Sequence, residues 1–590
     1  MICPAARTCA GFGLPAFFVR ATVATALLTM SVTAFAAPPA TEGARVLDVE
    51  KRRVVVSDVR VSDASPTCDV LVLGGGTGGV AAAESLSRRG LTAILVEPTG
   101  AIGGQLTSQL VCVPDENRFI EHPTGPSTWN YRGLRLQVRR HYREQANIKP
   151  GMDQNVGQCW VSRVSGTPDV WEKYIESRIE DLGSFKPRIY RRHQLRGFGF
   201  LADRRVNYAD IVNLDTGRVT RIGARFFLDA TEDGQGLALA GLPTTIGQEA
   251  KSEYNEPHAP DLAHPEWVQS FTYCFVVRYN TNGPKTLIEK PAEYDYFKSL
   301  GEYTLNYEYI DRGTVPYKMF TKAPGAGGPF WTYRRLVASS SFQNVPTSPE
   351  NDIALINWRG NDFHDESYLG KSPEEQARIL ERGKQFAQGF LYWLQTECPR
   401  DDGGVGYPEM QPVPRTEMPG VDENGFALHP YIRESRRLKA KFMLTEQHLV
   451  APADNPQAKW GEAFPDSVGC ALYSVDIHPA KGEPPLLVPA LPYHLPLGSF
   501  LTTAGPVNVL PAAKNFGATR LALASARMHP TEWLAGEIAA HLAAFCVRRD
   551  IVDPSRVRDT PDLLQTFQAE LKNIGIPLYW SDILDAQAKP

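Results

Sequence analysis

The chain has 590 residues, more than one ordinary hydrophobic core needs, so two intertwined or sequential domains with a sizeable buried cleft are expected. With 43% hydrophobic and 22% charged residues it reads as a folded globular enzyme, which excludes a disordered or multi-span membrane protein. Its net charge of −4 gives no basic footprint, so nucleic acid is not an expected partner.

At the N-terminus, Arg20, the apolar run 21–32 and the triplet Ala34-Phe35-Ala36 form an export signal with cleavage expected after Ala36. The run is well short of the roughly 20 residues a span needs, so no stable membrane span is expected once the signal is removed. Arg7 and Arg20 are the only charges of residues 1–36, so removal takes the net charge from −4 to −6. A periplasmic or secreted location follows, and the lack of an Arg-Arg pair before the run leaves the export route open. Of nine cysteines, Cys3 and Cys9 leave with the signal, and the other seven stand singly with no C-x-x-C. That spacing excludes a c-type haem and a Cys-rich zinc module, and no metal site is expected. An odd number implies at least one unpaired thiol or an intermolecular bridge; buried free cysteine is the ordinary reading.

Residues 37–67 form a Pro-, Ala- and charge-rich leader with one short strand at 53–56. The apolar run 69–73 predicts a central parallel strand buried on both faces. Gly74-x-Gly76-x-x-Gly79 follows at once, then a helix over 80–89 closed by Gly90, then a second buried strand at 93–97. Together these make one βαβ unit. A helix is predicted over 168–182, with Thr167 as its cap and Pro168 as its first residue. Strands are predicted at 198–201, 207–212, 218–222 and 225–228, with a hairpin turn at 214–217. Residues 251–494 lack βαβ rhythm and suit a substrate-facing domain, within which the aromatic run 271–275 reads as a core strand. The doubly wound pattern resumes with a strand at 508–510 and an Ala-rich helix over 530–546.

In the glycine turn, Gly74 permits the tight bend, Gly76 lets backbone approach a pyrophosphate, and Gly79 lets helix and strand pack closely, with Thr77 and Gly78 at the helix start. The free N–H groups and partial positive charge of that helix end hold an anion without a basic side chain. Glu97, 23 positions after Gly74 and followed by Pro98, stands where a carboxylate accepts hydrogen bonds from ribose hydroxyls. A second Gly-rich turn, Gly103-Gly104-Gln105-Leu106-Thr107-Ser108, comes soon after it, as an extended FAD requires and NAD does not. A third segment, running from Asp229 through Ala230, Thr231, Glu232 and Asp233 to Gly234, ends a late strand, where ligand loops gather in open α/β sheets.

These segments (GGGTGG, VEP, IGGQLTS, LDATEDGQGLALAGL), together with IRESRRLKAKFMLTEQHL, SVGCALYSVDIHP and ASARMHPTEWLAGEIAA, resemble the bacterial FAD-dependent oxidoreductase family related to glutathione-reductase-type flavoproteins. The resemblance runs from about residue 69 to 546 and implies bound FAD. It further implies that Asn515 lies near the ribityl chain, and that Ser525, Arg527 and the helix after Pro530, with Thr531 in its first turn, lie near the flavin ring. Two departures stand out. Where many relatives read Ala-Thr-Gly this chain reads Ala230-Thr231-Glu232, and the stretch Pro511-Ala512-Ala513-Lys514-Asn515 replaces an Ala-Gly-rich one.

On the substrate side, residues 473–478 alternate as a strand, which places Asp476 and His478 on one face. An acid beside a base could take a proton from an alcohol or amine as hydride leaves for flavin N5. Arg433, Glu434, Arg436 and Arg437 open a predicted helix running through Leu444, from which Arg433 or Arg436 could hold an anionic substrate group. Arg527, beside the final helix, is better placed, while His494 and His529 are weaker candidates.

The fold class expected is α/β: a discontinuous, doubly wound, Rossmann-like FAD domain with a large mixed α+β substrate domain. Its boundaries read as signal 1–36, leader 37–67, FAD-domain parts 68–115, 184–250 and 495–548, an inserted segment 116–183, a substrate domain 251–494 and a C-terminal extension 549–590. The activity expected is oxidation of a small-molecule or carbohydrate substrate, with electrons passed to oxygen or another acceptor. A polysaccharide lyase or hydrolase using Tyr473, Asp476 and His478, or a non-catalytic flavin carrier, are the alternatives.

Overall fold

The computed structural model describes residues 43–583 except 63–64, 123–124, 311–312 and 452–453. The export signal and its cleavage site lie outside the described residues. Strand β1 (Thr67–Leu73), helix α1 (Thr77–Arg88) and strand β2 (Ala93–Glu97) form the expected βαβ unit. β1 is the hub: it pairs in parallel with β2 on one side and with a later strand on the other. With helices over the sheet, Val70 to Leu73 are buried on both faces, hence the unbroken apolar run.

Helices α2 (Trp129–Arg143) and α3 (Pro168–Glu180) belong to the inserted segment; α3 begins at Pro168 as predicted and ends in a turn before Leu182. Strands β3 (Arg188–Arg191), β4 (His193–Phe200), β5 (Val206–Asn213) and β6 (Val219–Asp229) follow. The sheet order is β3-β2-β1-β6-β5-β4, and β7 (Val509–Pro511) returns from far along the sequence to pair in parallel with β6. The predicted strands 218–222 and 225–228 are one continuous strand. Gly223 and Ala224, which suggested a break, pair instead with Thr67 and Cys68 of β1, so the ladder runs through.

A second sheet of four antiparallel strands, in the order Arg335–Val337, Ile353–Ile356, Phe275–Tyr279 and Met410–Pro412, carries the middle of the chain. The 24-residue helix α4 (Pro373–Thr396) starts at Ser372, whose hydroxyl accepts from the Glu375 amide, and buries Phe386, Phe390 and Leu394 against that region. The run 271–275 is core, as expected, although it divides into strands Phe271–Thr272 and Phe275–Tyr279.

Helices α5 (Arg520–Ala526) and α6 (His529–Arg548) close the structure. α6 packs tightly on α1, and a Cβ on Gly536 would collide with the Gly78 carbonyl, so the contact between the two helices depends on glycine. The predicted helix from Arg433 to Leu444 is not formed. The segment is irregular, with a two-residue strand, Arg437–Leu438, paired to Thr244–Thr245. Its charges are not a solvated helix face but buried partners of residues far away in sequence: Arg433 with Asp362, Arg437 with Glu249, and Glu434 with Arg520. The seven described cysteines are all free, six of them buried. Among the described residues no helix is long and apolar enough to cross a membrane.

Candidate active site

The glycine turns build one cradle. Gly74 takes φ of +97°, and any Cβ there would strike the Ala230 carbonyl, so the turn needs glycine both for its backbone angle and for its approach to the end of β6. Gly103, at φ +113°, donates its N–H to the Gly75 carbonyl at 2.8 Å, and Thr77 Oγ1 donates to the Gly103 carbonyl at 3.0 Å. The second turn is thereby clamped onto the first; a Cβ on Gly104 would stand 2.7 Å from Gly76 Cα. Thr107 Oγ1 donates to the Ile102 carbonyl, which holds the second turn closed.

A cleft of about 660 Å³ opens at the carboxyl ends of β1, β2 and β6, lined by Gly74, Gly76, Glu97, Pro98, Gly104, Ser108, Ala230, Thr231 and Asp233. Glu97 accepts from the Gly75 N–H at 2.8 Å and from the Thr99 N–H and hydroxyl at 2.8 and 2.6 Å. Burial outweighs those bonds and pushes its carboxyl up to about 7. Thr231 is fixed by Asp229 at 2.7 Å and caps the Gln235 N–H at 2.9 Å. Sequence reasoning missed Gln109, the residue just past the second Gly-rich turn, and Gln194, Leu195 and His429, which come from segments with no cofactor motif. Gln109 Oε1 is buried there without a protein partner.

Deeper in, Lys514 is fully buried, hydrogen-bonded to Glu232 and 3.2 Å from Glu532 Oε1. Gln105 donates to Glu532 and to the Arg527 carbonyl, and its own Oε1 has no protein partner. The residues assigned to the flavin end have diverse neighbours. Asn515 donates to the Asp229 carbonyl at 2.9 Å and so ties the end of β7 to that of β6. Ser525 donates to the Tyr473 carbonyl at 2.6 Å, and Thr531 is buried in the first turn of α6. His529 accepts from the Asp115 N–H and contacts the Val111 carbonyl; burial holds its ring near 4, so it is a neutral linker.

The substrate side is organised around His478. Its Nδ1 lies 2.7 Å from Asp362 Oδ2 and its Nε2 3.5 Å from Asp476 Oδ2; the strand predicted over 473–478 is confined to Val475–Ile477, with Asp476 inside it and His478 just past its end. Asp362, which sequence reasoning missed, sits 114 positions before Asp476 in a segment with no motif. It also accepts from Thr272 Oγ1 and pairs with Arg433 at 2.9 Å. Although burial disfavours its charge, Arg433 and His478 hold its carboxyl well below the usual range. Asp476 is likewise lowered, to about 2, because His478 and Arg527 outweigh burial.

A cavity of about 490 Å³ is lined by Asp362, Asp476, His478, Arg433, Arg527 and Tyr431. It shares Asp476 with two wider clefts of about 1250 and 1480 Å³, the larger lined by Trp160, Tyr307, Tyr333 and Trp358. Of its cations, Arg334 is spent on Asp115 and Arg433 on Asp362. Arg527 instead donates to Tyr431 Oη at 2.7 Å and the Asp476 carbonyl at 3.2 Å, and stands 3.8 Å from Asp476 Oδ2. Arg436 pairs with Asp233, and His494 is taken up by the Glu462 carbonyl and the Trp580 N–H. Among the described residues there is no group of three or more His, Cys, Asp or Glu able to hold a metal.

The family described as FAD dependent oxidoreductase matches residues 69–571. A geranylgeranyl bacteriochlorophyll reductase-like protein from Thermoplasma acidophilum is 10% identical over 86% of this chain and 84% of that one, with a TM-score of 0.32. The myxobacterial halogenase CndH, a variant of FAD-dependent halogenases, is 14% identical over 37% of this chain and 45% of its own, with a TM-score of 0.20. The flavin-dependent monooxygenase PieE is 14% identical over 36% of each chain, with a TM-score of 0.21. No curated protein matches.

Proposed function

The chain belongs to the family of FAD dependent oxidoreductases, and from that premise we propose that it is an exported enzyme that oxidises an alcohol or amine group of a small or sugar-like substrate, with oxygen or another acceptor taking the electrons. The residues suit FAD: Gly74 and Gly104 have no room for a side chain, and the buried Gln105 and Gln109 oxygens lack protein partners. Gly76 and Thr77 would hold the pyrophosphate, with Gly79 keeping α1 close to β1, Glu97 would hold the adenosine ribose, and the second glycine turn with Gln105 the middle of the cofactor. When bound, FAD supplies the two-electron acceptor.

The observation that carries the proposal is the placement of His478 between two carboxylates, lining two of the cavities, beside Asp476, which lines all three. Asp362 only accepts and so anchors the Nδ1 side of the ring, which turns Nε2 toward Asp476 and the cavity. His478 Nε2 takes the proton of the substrate hydroxyl or amine as that group is oxidised. Asp362 fixes the ring and stabilises the resulting imidazolium. Asp476 adds a second negative charge on the side from which the proton comes. Arg527 holds a substrate oxygen against the ring end of the site. The aromatic cleft gives flat apolar surface to a ring-shaped substrate.

The test is an anaerobic screen of sugars, amines and hydroxy acids against the purified chain, read as flavin bleaching. A substrate of these classes is expected to bleach it, and no response from any of them overturns the substrate proposal. N-terminal sequencing of the chain recovered from the periplasm tests cleavage after Ala36.

A further inference from the structure

The two sequence departures, Glu232 and Lys514, are 282 positions apart and meet in the fold: Lys514 Nζ is hydrogen-bonded to Glu232 Oε2. Lys514 has no exposed side-chain surface and Glu232 only 11%. The other carboxylate oxygen, Glu232 Oε1, is buried and has no hydrogen-bond partner. It occupies the notch left by the missing side chain of Gly76, where a Cβ would collide with it, and lies 3.1 Å from the Cβ position of Gly104. That notch is at the N-terminus of α1, a 12-residue helix whose first amides and dipole favour an anion. One oxygen on a buried cation and the other unpartnered in an anion-accepting notch puts a carboxylate where a phosphate would find both a cation and free helix amides.

We propose that Glu232 is an internal stand-in for the cofactor's pyrophosphate, and that Lys514 is the pyrophosphate's counter-cation. In the cofactor-free protein Glu232 neutralises Lys514 and fills the notch beside Gly76. When FAD binds, the Glu232 side chain turns out and Lys514 passes to a pyrophosphate oxygen, while Glu532, 3.2 Å away, keeps the ammonium in place. Glu232 is therefore a competitor for the site and lowers the affinity for FAD. The inference rests on the pyrophosphate lying at the Gly76 turn.

The test uses the full chain stripped of flavin and titrated with FAD, followed by flavin fluorescence. Glu232→Gln and Glu232→Ala are expected to bind FAD about tenfold or more tighter than wild type, the scale of one displaced charged hydrogen bond. Lys514→Met is expected to bind at least about tenfold more weakly. In calorimetric titrations with ADP the gain in the Glu232 variants persists, and with adenosine, which lacks the phosphates, it disappears. Glu232→Gln keeps the shape and a hydrogen-bond acceptor for Lys514, so it carries the test if Glu232→Ala fails to fold. Affinities of the Glu232 variants equal to or below wild type, while Gly76→Leu loses FAD, overturn the proposal and leave the placement standing. Wild-type affinity in Gly76→Leu would overturn the placement itself.

Discussion

Replacing Asp362 with asparagine removes one charge from a buried chain running from Arg433 through Asp362 and His478 to Asp476. Arg433 is 2% exposed, so its guanidinium would be left buried without its carboxylate. Breaking one side of a buried pair costs about 3–5 kcal/mol, and asparagine keeps a hydrogen-bond acceptor for Arg433 and Thr272, which places the variant near ~3 kcal/mol. At the usual ~2.1 cal/mol/K per residue, a chain of 590 residues has an unfolding entropy of about 1.2 kcal/mol/K, so Tm should fall by about 2–4 °C. The imidazole also loses the group that fixes its tautomer and ring angle. Substrate reduction of the flavin, followed by anaerobic stopped flow, should slow by about 10²-fold, with flavin content unchanged. Adding Arg433→Met removes the orphaned cation and should restore much of the Tm but not the rate. A single variant with unchanged Tm and a rate within about twofold of wild type would refute both the pairing and the role given to His478.

His478→Ala should keep its flavin and its fold while substrate reduction slows by about 10²–10⁴-fold; loss of folding instead would assign the ring a packing role. Gly76→Leu should abolish FAD retention in the purified protein, since the side chain would occupy the pyrophosphate position, and absorbance after gel filtration checks it. Asp476 has a lower pKa in the folded chain than in the unfolded one, so the stability it contributes is fully present above an ordinary carboxylate pKa of about 4. That stability is lost as pH falls from about 4 to about 2, and Asp476→Asn should flatten the acid limb of unfolding free energy against pH in that window.

The cofactor end was legible because its determinants are local. Gly74, Gly76, Gly79 and Glu97 lie within one βαβ unit, and burial of β1 on both faces writes itself as an unbroken apolar run. The shared face of Asp476 and His478 was legible for the same reason: strand alternation is a property of adjacent residues. What failed was non-local. Arg433, Glu434 and Arg437 have the spacing of a helix face, yet each answers a charge brought from elsewhere by the fold, and the backbone takes the irregular path those pairs need. Asp362 carried no signal because its value as a partner exists only once its strand has paired with Phe271–Thr272 and Val475–Ile477 has been brought beside it. Glu232 and Lys514 were visible as two separate oddities, and nothing short of the fold could show that they neutralise each other.

The central claim is that this chain holds FAD and reduces it with a substrate at the His478 site. The visible spectrum of the purified full chain, recorded anaerobically before and after substrate addition, tests it most directly. Flavin absorbance that survives gel filtration and bleaches with substrate in the wild type, but only slowly in His478→Ala, is the predicted result. A colourless, correctly folded protein that cannot be reconstituted with FAD would contradict it and return Tyr473, Asp476 and His478 to chemistry without a redox cofactor.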